Sequence, residues 1–165
     1  MDTWPSVEEV LAKLRQRGVT VPAGAMRVDA CGDSPGLSES LLALIRCGRK
    51  RAGAILLWAL EAEAQPLPVP GRIELVVDQL NEPALVCRVT EVQVVAFNEV
   101  SAEFAAIEGE GDGSLAHWRG AHRTYFSREC QRTGRPPDER MPVVCSAFDV
   151  LSVVPEQAPA ARPLE

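Results

Sequence analysis

The sequence predicts one small α+β domain, in which a curled, mostly antiparallel sheet or small β-barrel is flanked by helices. Its 165 residues suit a single domain with a sizeable core. The composition, 46% hydrophobic and 24% charged, is typical of a globular protein. The predicted elements follow neither a regular alternation of strands and helices nor the pattern of a β-sandwich. A curled sheet with flanking helices therefore fits the order best.

Two helices are predicted in the first third of the chain. Ser6 to Arg17 carries apolar residues at helical spacing, and Glu9 completes a capping box with the N-cap serine. A second helix is expected from Ser34, with a proline in its first turn, to the glycine at position 48. The segment between them, 18–33, is rich in Gly, Pro and small residues and is predicted to be a linker.

Four strands are expected in the rest of the chain. The apolar run Ala54–Ala59, bounded by the basic turn and an acidic segment, predicts a buried strand. Arg72–Asp78 and the β-branched stretch Ala84–Phe97 flank an Asn-Glu-Pro turn, which predicts a hairpin whose second strand bends or continues. Val143–Val154 is predicted to be the last strand.

Two further helices precede that last strand. Ser101–Ile107 predicts a short helix, and Ser114–Arg132 predicts a longer one with a largely aromatic stripe on one face. The domains expected from these elements are an N-terminal helix and linker at 1–29, the main domain at 30–154 and a mobile tail at 155–165. The final Leu-Glu resembles a cloning remnant.

Location and redox state are predicted from what the sequence lacks. No apolar run reaches the ~20 residues that a membrane helix requires, and the N-terminus has no signal-peptide pattern. The five cysteines are scattered and never spaced as C-x-x-C, so neither a disulfide framework nor a zinc site is indicated. We expect a cytoplasmic protein with reduced thiols that does not bind membranes.

The net charge of −6 argues against a protein that coats long nucleic acids. A local basic turn, Arg46–Arg51, nevertheless places four cations around Gly48. One cation at a helix C-terminus is explained by the helix dipole, but four exceed that need. The functional alternative is an anion or nucleotide site, in which Arg49 contributes and Lys50 points at the ligand.

The acidic turn Glu108–Ser114 alternates carboxylates with glycines directly before a helix. Its acids would repel a phosphate, so one interpretation is that Asp112 or Ser114 caps the helix. The other is a catalytic carboxylate beside a closely approaching backbone. The spacing does not match a calcium-binding loop, and His117 and His122 point about 140° apart on a helix. We predict neither a metal nor a cofactor.

These features together resemble the ASCH domain, a relative of the PUA RNA-binding fold. The resemblance extends from about Gly32 to Val153. It rests on these segments: Gly48-Arg49-Lys50, Leu56-Leu57-Trp58, Glu108-Gly109-Glu110-Gly111-Asp112, Ser114-Leu115, Trp118-Arg119, Arg128-Glu129-Cys130 and Met141-Pro142-Val143-Val144-Cys145. It implies a PUA-like β-barrel with flanking helices and a cleft that receives RNA or a nucleoside.

The resemblance also implies a chemistry. Some ASCH proteins are amidohydrolases that deacetylate N4-acetylcytidine with a lysine, a threonine nucleophile three residues later and a glutamate from the acidic turn. The lysine falls on Lys50 and the glutamate on Glu110, whereas the threonine falls on Gly53. Because glycine has no hydroxyl group, that mechanism lacks its nucleophile here.

Three functions remain as hypotheses. The first is an RNA- or nucleotide-binding module whose ligand contacts come from Arg49, Lys50, Trp58, Glu110 and Ser114, with Trp58 either a stacking platform or a core residue. The second is a hydrolase of RNA or an acylated nucleoside, with Lys50, Glu110 and Ser114 as catalytic groups. The third is a regulatory domain that binds a protein partner through its acidic surface and N-terminal helix. The sequence leaves the oligomeric state open.

Overall fold

A computed structural model describes residues 4–156 of the chain. The helices are α1 (Val7–Gln16), α2 (Pro35–Arg46), α3 (Leu57–Ala62), α4 (Ala102–Glu108) and α5 (Leu115–Thr133), and Phe97–Glu99 forms a 3-10 turn. The strands are β1 (Met26–Ala30), β2 (Ala52–Leu56), β3 (Ile73–Val77), β4 (Pro83–Ala96) and β5 (Pro142–Val153).

The five strands form one mixed, curled sheet in the order β1-β3-β4-β5-β2. Only β1 and β3 pair in parallel, and the other three pairings are antiparallel. The pairing of β4 with β5 shifts register twice, between Val86 and Cys87 and between Val89 and Glu91. Such irregularities bend strands, so the long central pair curls into a half-barrel. The predicted α+β class with a curled, mostly antiparallel sheet is confirmed.

One face of the sheet, here called the outer face, is covered by α1. Val10 and Leu14 of that helix are fully buried against apolar side chains of β3 and β4. The predicted capping box is present, because Ser6 accepts from the Glu9 backbone while the Glu9 carboxylate accepts from the Ser6 backbone. The N-terminal helix is therefore both capped and packed onto the sheet.

A second core joins α3, α4 and α5 to the ends of β2 and β5. Phe97 and Phe126 are fully buried at its centre, and Trp118 lies between them and Phe104. The predicted aromatic stripe of α5 accordingly faces the interior. This packing holds the start of α5 against the end of α4, where the acidic turn lies.

Two expectations from the sequence are wrong. Residues 26–30 of the predicted linker form β1, because they pair along the whole length of β3. The run Ala54–Ala59 is not one strand: β2 ends at Leu56 and α3 begins at Leu57. A continuous apolar run suits a buried helix as well as a buried strand, and here it supplies one of each.

Within residues 4–156, none of the helices combines the length and the apolarity needed to cross a bilayer. The predicted mobile tail falls almost wholly outside the described residues, as does the supposed cloning remnant. The predicted domain boundary at residue 30 coincides with the last residue of β1. The domain limits themselves stay a prediction.

Candidate functional site

The basic and acidic turns meet in the folded chain. The backbone N–H of Arg51 donates to the carbonyl oxygen of Ile107 at 2.9 Å, and the Arg49 guanidinium donates to the carbonyl oxygen of Gly111. Gly109 ends α4 in the left-handed conformation, with φ of 69°. A Cβ at Gly109 would collide with the carbonyl oxygen of Arg49. Glycine thus permits the close approach that brings the two turns together.

Lys50 is the cation at the centre of this junction, and only 5% of it is exposed. Its Nζ donates to Oε1 of Glu110 at 2.8 Å and to the carbonyl oxygen of Ala52 at 2.7 Å. Oε1 of Glu108 lies 3.6 Å from the same nitrogen. A buried ammonium group needs such partners, and here two carboxylates and a carbonyl supply them.

Glu108 is the most deeply buried acid of the site, with 2% of its surface exposed. Its Oε2 accepts from the indole nitrogen of Trp118, and its Oε1 lies 3.0 Å from Nε2 of His122. Burial by itself raises the pKa of a carboxyl group, but the hydrogen bond from His122 and the charge of Lys50 hold the pKa of Glu108 below its ordinary value. Glu108 is therefore a buried carboxylate.

His122 is held by a partner at each ring nitrogen. Its Nδ1 lies 2.9 Å from the carbonyl oxygen of Trp118, and its ring stacks on the indole at 4.2 Å between centroids. At the other ring nitrogen, Nε2 contacts Oε1 of Glu108. These contacts fix the orientation of the imidazole ring beside the buried carboxylate.

Glu108, Glu110 and His122 also form a group with metal-ligand geometry, since one ligand atom from each lies within 4.8 Å of the others. The ammonium group of Lys50 contacts both carboxylates of this group. It supplies the positive charge that a metal ion would otherwise provide. The geometry consequently favours the Lys50 ammonium group, rather than a metal ion, as the partner of these two carboxylates.

The junction forms one wall of a cleft of about 590 Å³. The floor of the cleft is the inner face of the sheet, opposite the face that α1 covers. The residues that line the cleft include Lys50, Gly53, Asp29, Arg72, Glu74, Glu108, Glu110, His122, Tyr125 and Ser146. A volume of this size accommodates a nucleoside or a small nucleotide.

Gly53 lies on this floor, and a Cβ built on it meets nothing within 4 Å. The space that a threonine side chain would occupy at this position is therefore open. Ser146 of β5 is the register partner of Gly53 and lines the same cleft. Paired residues of an antiparallel sheet share a face, so the Ser146 hydroxyl lies on the side of the sheet from which the threonine would act.

The structure brings together two of the predicted site residues and separates the others. Lys50 and Glu110 form a direct ion pair at the cleft wall. Arg49 is exposed and bonded to the acidic turn, and Ser114 caps α5 by accepting from the backbone of His117. Trp58 packs on the second core under the guanidinium of Arg135. Among the described residues, the cleft lining does not include Arg49, Ser114 or Trp58.

Sequence reasoning missed five residues of the site. Glu108 and His122 belong to the junction, and the buried stripe position of His122, which needs a partner, was the available signal. Asp29, Arg72 and Glu74 belong to the floor. The alternation Met-Arg-Val-Asp-Ala in β1 was the signal for Asp29, whereas nothing local in β3 marks Glu74 as different from its buried neighbours.

Comparisons with known proteins identify a family. A model of the ASCH domain matches residues 27–152. An ASCH domain structure from Lactobacillus crispatus is similar, at 32% identity with a TM-score of 0.78, over 87% of this chain and 94% of that one. A DUF984 protein from Enterococcus faecalis is 25% identical with a TM-score of 0.74, over 90% of this chain and 91% of that one. None of the curated proteins matches the chain.

Proposed function

Because the chain belongs to the ASCH domain family, we propose that it binds RNA or a nucleotide in the cleft beside Lys50 and Glu110. The family is broadly proposed to bind RNA. The observation that carries the proposal for this chain is the ion pair between buried Lys50 and partly exposed Glu110, both of which line an open cleft of nucleoside size. A pair that served stability alone would gain little from such a position.

The groups at the wall suit a polar ligand that carries both hydrogen-bond acceptors and donors. Lys50 offers an ammonium group to a phosphate or carbonyl oxygen, and Glu110 keeps a quarter of its side chain exposed as an acceptor. Tyr125 and His122 add aromatic surface to the same cleft, where a base could stack. The chain's net charge of −6 restricts this role to a short segment or a single nucleotide.

Isothermal titration with cytidine 5′-monophosphate, N4-acetylcytidine and a short single-stranded RNA tests the proposal. We expect the wild type to bind at least one of them and Lys50→Ala to weaken that binding by about tenfold or more. Lys13, the other lysine of the chain, pairs with Glu82 on the outer side, so Lys13→Ala is the matched control. Glu110→Gln, which keeps the side-chain shape, serves if Lys50→Ala unfolds. Failure of the wild type to bind any probe contradicts the proposal.

A hydrolase acting on RNA or an acylated nucleoside is the second candidate, and the Lys50–Glu110 pair favours it. In this alternative Lys50 stabilises developing negative charge and Glu110 acts as a general base. The nucleophile would be a water molecule or the Ser146 hydroxyl, since Gly53 has none to offer. Ser114, which the sequence predicts as a third catalytic group, is engaged at the N-terminus of α5.

Turnover of N4-acetylcytidine by Gly53→Thr separates binding from this chemistry. The open space at Gly53 admits the new side chain, and its backbone is not in the left-handed region. If the threonine is the missing catalytic part, Gly53→Thr acquires deacetylase activity that Lys50→Ala abolishes in the same background. If the wild type hydrolyses N4-acetylcytidine and the Lys50→Ala or Glu110→Gln variant does so at the full wild-type rate, the hydrolase hypothesis loses its basis.

A further inference from the structure

The floor of the cleft carries a charged cluster that the proposed function does not use. It consists of Arg27 and Asp29 from β1, Arg72 directly before β3 and Glu74 of β3, all of which line the cleft. The parallel register places Arg27 beside Glu74. Side chains that alternate with these point to the outer face and pack under α1. The cluster is therefore a polar strip built into the inner face.

Arg72 does not satisfy Glu74 completely. Its Nε and Nη2 both donate to the same carboxylate oxygen, Oε1, at 2.9 and 2.6 Å. The other oxygen, Oε2, is buried and receives no hydrogen bond from any residue within the described part of the chain. Glu74 as a whole is 9% exposed. A buried carboxylate oxygen without a donor is costly, so a hydrogen-bond donor brought to this part of the cleft would stabilise it.

Asp29 adds a second carboxyl group, and so further acceptor oxygens, beside Glu74. Burial, with the nearby charge of Glu74, raises the pKa of Asp29 to about 6. Two carboxyl groups thus share the floor, where Oε2 of Glu74 has no donor among residues 4–156. A ligand group that brings N–H donors would satisfy that oxygen and reduce the repulsion between the two acids. A ligand group that brings only acceptor oxygens would increase the repulsion.

We propose that this floor is a base-reading subsite, in which Glu74 Oε2 accepts a hydrogen bond from the exocyclic amino group of a nucleobase. The inference rests on the proposed function and adds its specificity: Lys50 and Glu110 bind one part of the nucleotide, and Glu74 selects the base. Arg72 positions the Glu74 carboxylate by holding its other oxygen. Ligands with an amino-bearing base are preferred to those with a carbonyl at the same place.

Cytosine and uracil provide the sharpest comparison, because they differ at position 4 by an amino group against a carbonyl oxygen. The amino group donates to Oε2, whereas the carbonyl oxygen of uracil would face a carboxylate without a hydrogen between them. Hydrogen bonds to charged groups contribute about 1.5–3 kcal/mol, which corresponds to at least about a tenfold preference.

The test measures the affinity of the full chain for cytidylate and uridylate hexamers at pH 7.5. We expect the wild type to bind the cytidylate hexamer about tenfold more tightly or better. In Glu74→Gln the side-chain amide can donate to a carbonyl, so the ratio should fall to about threefold or less, mainly through tighter binding of uridylate. Glu91→Gln, on an exposed position of β4 outside the cleft lining, should keep the wild-type ratio.

The outcomes distinguish this inference from the proposed function. Binding of both hexamers with equal affinity by the wild type overturns the subsite and leaves the proposed function standing. An unchanged ratio in a folded Glu74→Gln variant also overturns it. If neither hexamer binds, the proposed function fails and the subsite fails with it. If Glu74→Gln does not fold, the ratio of the wild-type affinities for the two hexamers decides whether the subsite exists.

Discussion

At Lys50, one ammonium group is shared by the carboxylates of Glu108 and Glu110 and by a backbone carbonyl. Glu108 is in turn fixed by Trp118 and His122. The lysine is therefore not free to rotate as a surface lysine would, and its charge is directed along one wall of the cleft. Preorganisation of this kind lowers the entropic cost of binding a ligand.

Asp29 provides a prediction about pH. Its folded pKa of about 6 lies above the ordinary value of 3.8, so its ionised form opposes folding. Stability from this group is lost as pH rises from about 4 through about 6, and it is absent at neutral pH. Asp29→Asn avoids that loss. We expect the free energy of unfolding of the variant to exceed that of the wild type by up to about 3 kcal/mol at pH 7.5. At pH 4 the two values should differ little.

Urea denaturation at the two pH values measures the effect. Asp149→Asn, at an exposed position of β5, is the control and should shift stability by less than about 0.5 kcal/mol at either pH. A difference between Asp29→Asn and the wild type that is the same at pH 4 and pH 7.5 would contradict the assignment to ionisation.

Gly109 is the residue whose backbone the junction depends on. In Gly109→Ala the left-handed φ is strained and the new Cβ collides with the carbonyl oxygen of Arg49. We expect a loss of about 2–4 kcal/mol in the free energy of unfolding and weaker ligand binding, since Lys50 follows Arg49. Gly120 of α5 has open space and ordinary helical geometry, so Gly120→Ala should be neutral or stabilising by up to about 1 kcal/mol. Equal effects of the two substitutions would refute the close-approach argument.

Among the elements, α5 shows how a local signal can support two interpretations. The hydroxyl of Ser114 accepts from the backbone of His117, and the Asp112 carboxylate accepts from the backbone of Ser114. Both contacts organise the start of the helix that carries Trp118 and His122. The C-terminal part of the acidic turn thus caps α5, and its N-terminal part supplies the carboxylates of the site.

Ser114→Ala tests which role the hydroxyl has. As a cap it should cost about 1 kcal/mol of stability, and it should change ligand affinity by less than about twofold. Ser101 caps α4 in the same way, accepting from the backbone of Phe104, so Ser101→Ala should destabilise by a similar amount. Thermal unfolding and titration on the same samples measure both effects. A large loss of affinity confined to Ser114→Ala would return Ser114 to the ligand site.

Two elements escaped prediction for physical reasons. The short β1 lies in a Gly- and Pro-rich region, and its extended form is fixed by hydrogen bonds to β3, which is more than forty residues distant along the chain. The start of α3 lies within an apolar run with no turn signal, and its helical form depends on packing against α5. Local sequence patterns do not report such long-range partners.

For the whole molecule, the position of α1 bears on the hypothesis of a protein-interaction domain. The apolar face of α1 is buried within its own chain, and Lys13 and Arg17 pair with Glu82 at the turn before β4. The helix is therefore an integral part of the fold. Recruitment of a partner through its apolar face would require α1 to detach, although an interaction through its exposed polar face stays a hypothesis.

Leu14→Ala measures how firmly α1 is held. Leu14 is fully buried, so its truncation should cost about 2–5 kcal/mol in equilibrium unfolding. Leu80, which is 80% exposed, provides the control: Leu80→Ala should cost less than about 0.5 kcal/mol. A negligible effect of Leu14→Ala would mean that the helix is not docked in solution.

The sequence by itself determined the fold class and, of the five helices in the described part of the chain, four to within a residue or two at each end. These depend on caps and periodicity, which are local signals along the chain, whereas the association of Lys50 with Glu110 follows from the resemblance to the ASCH family. Only the tertiary structure decided that Glu108 and His122 contact each other beside Lys50 and that Asp29, Arg72 and Glu74 form the floor of the same cleft. Those groups meet through the parallel β1–β3 pairing and the packing of α5 against α4, and contacts between distant segments follow from the energy of the whole fold.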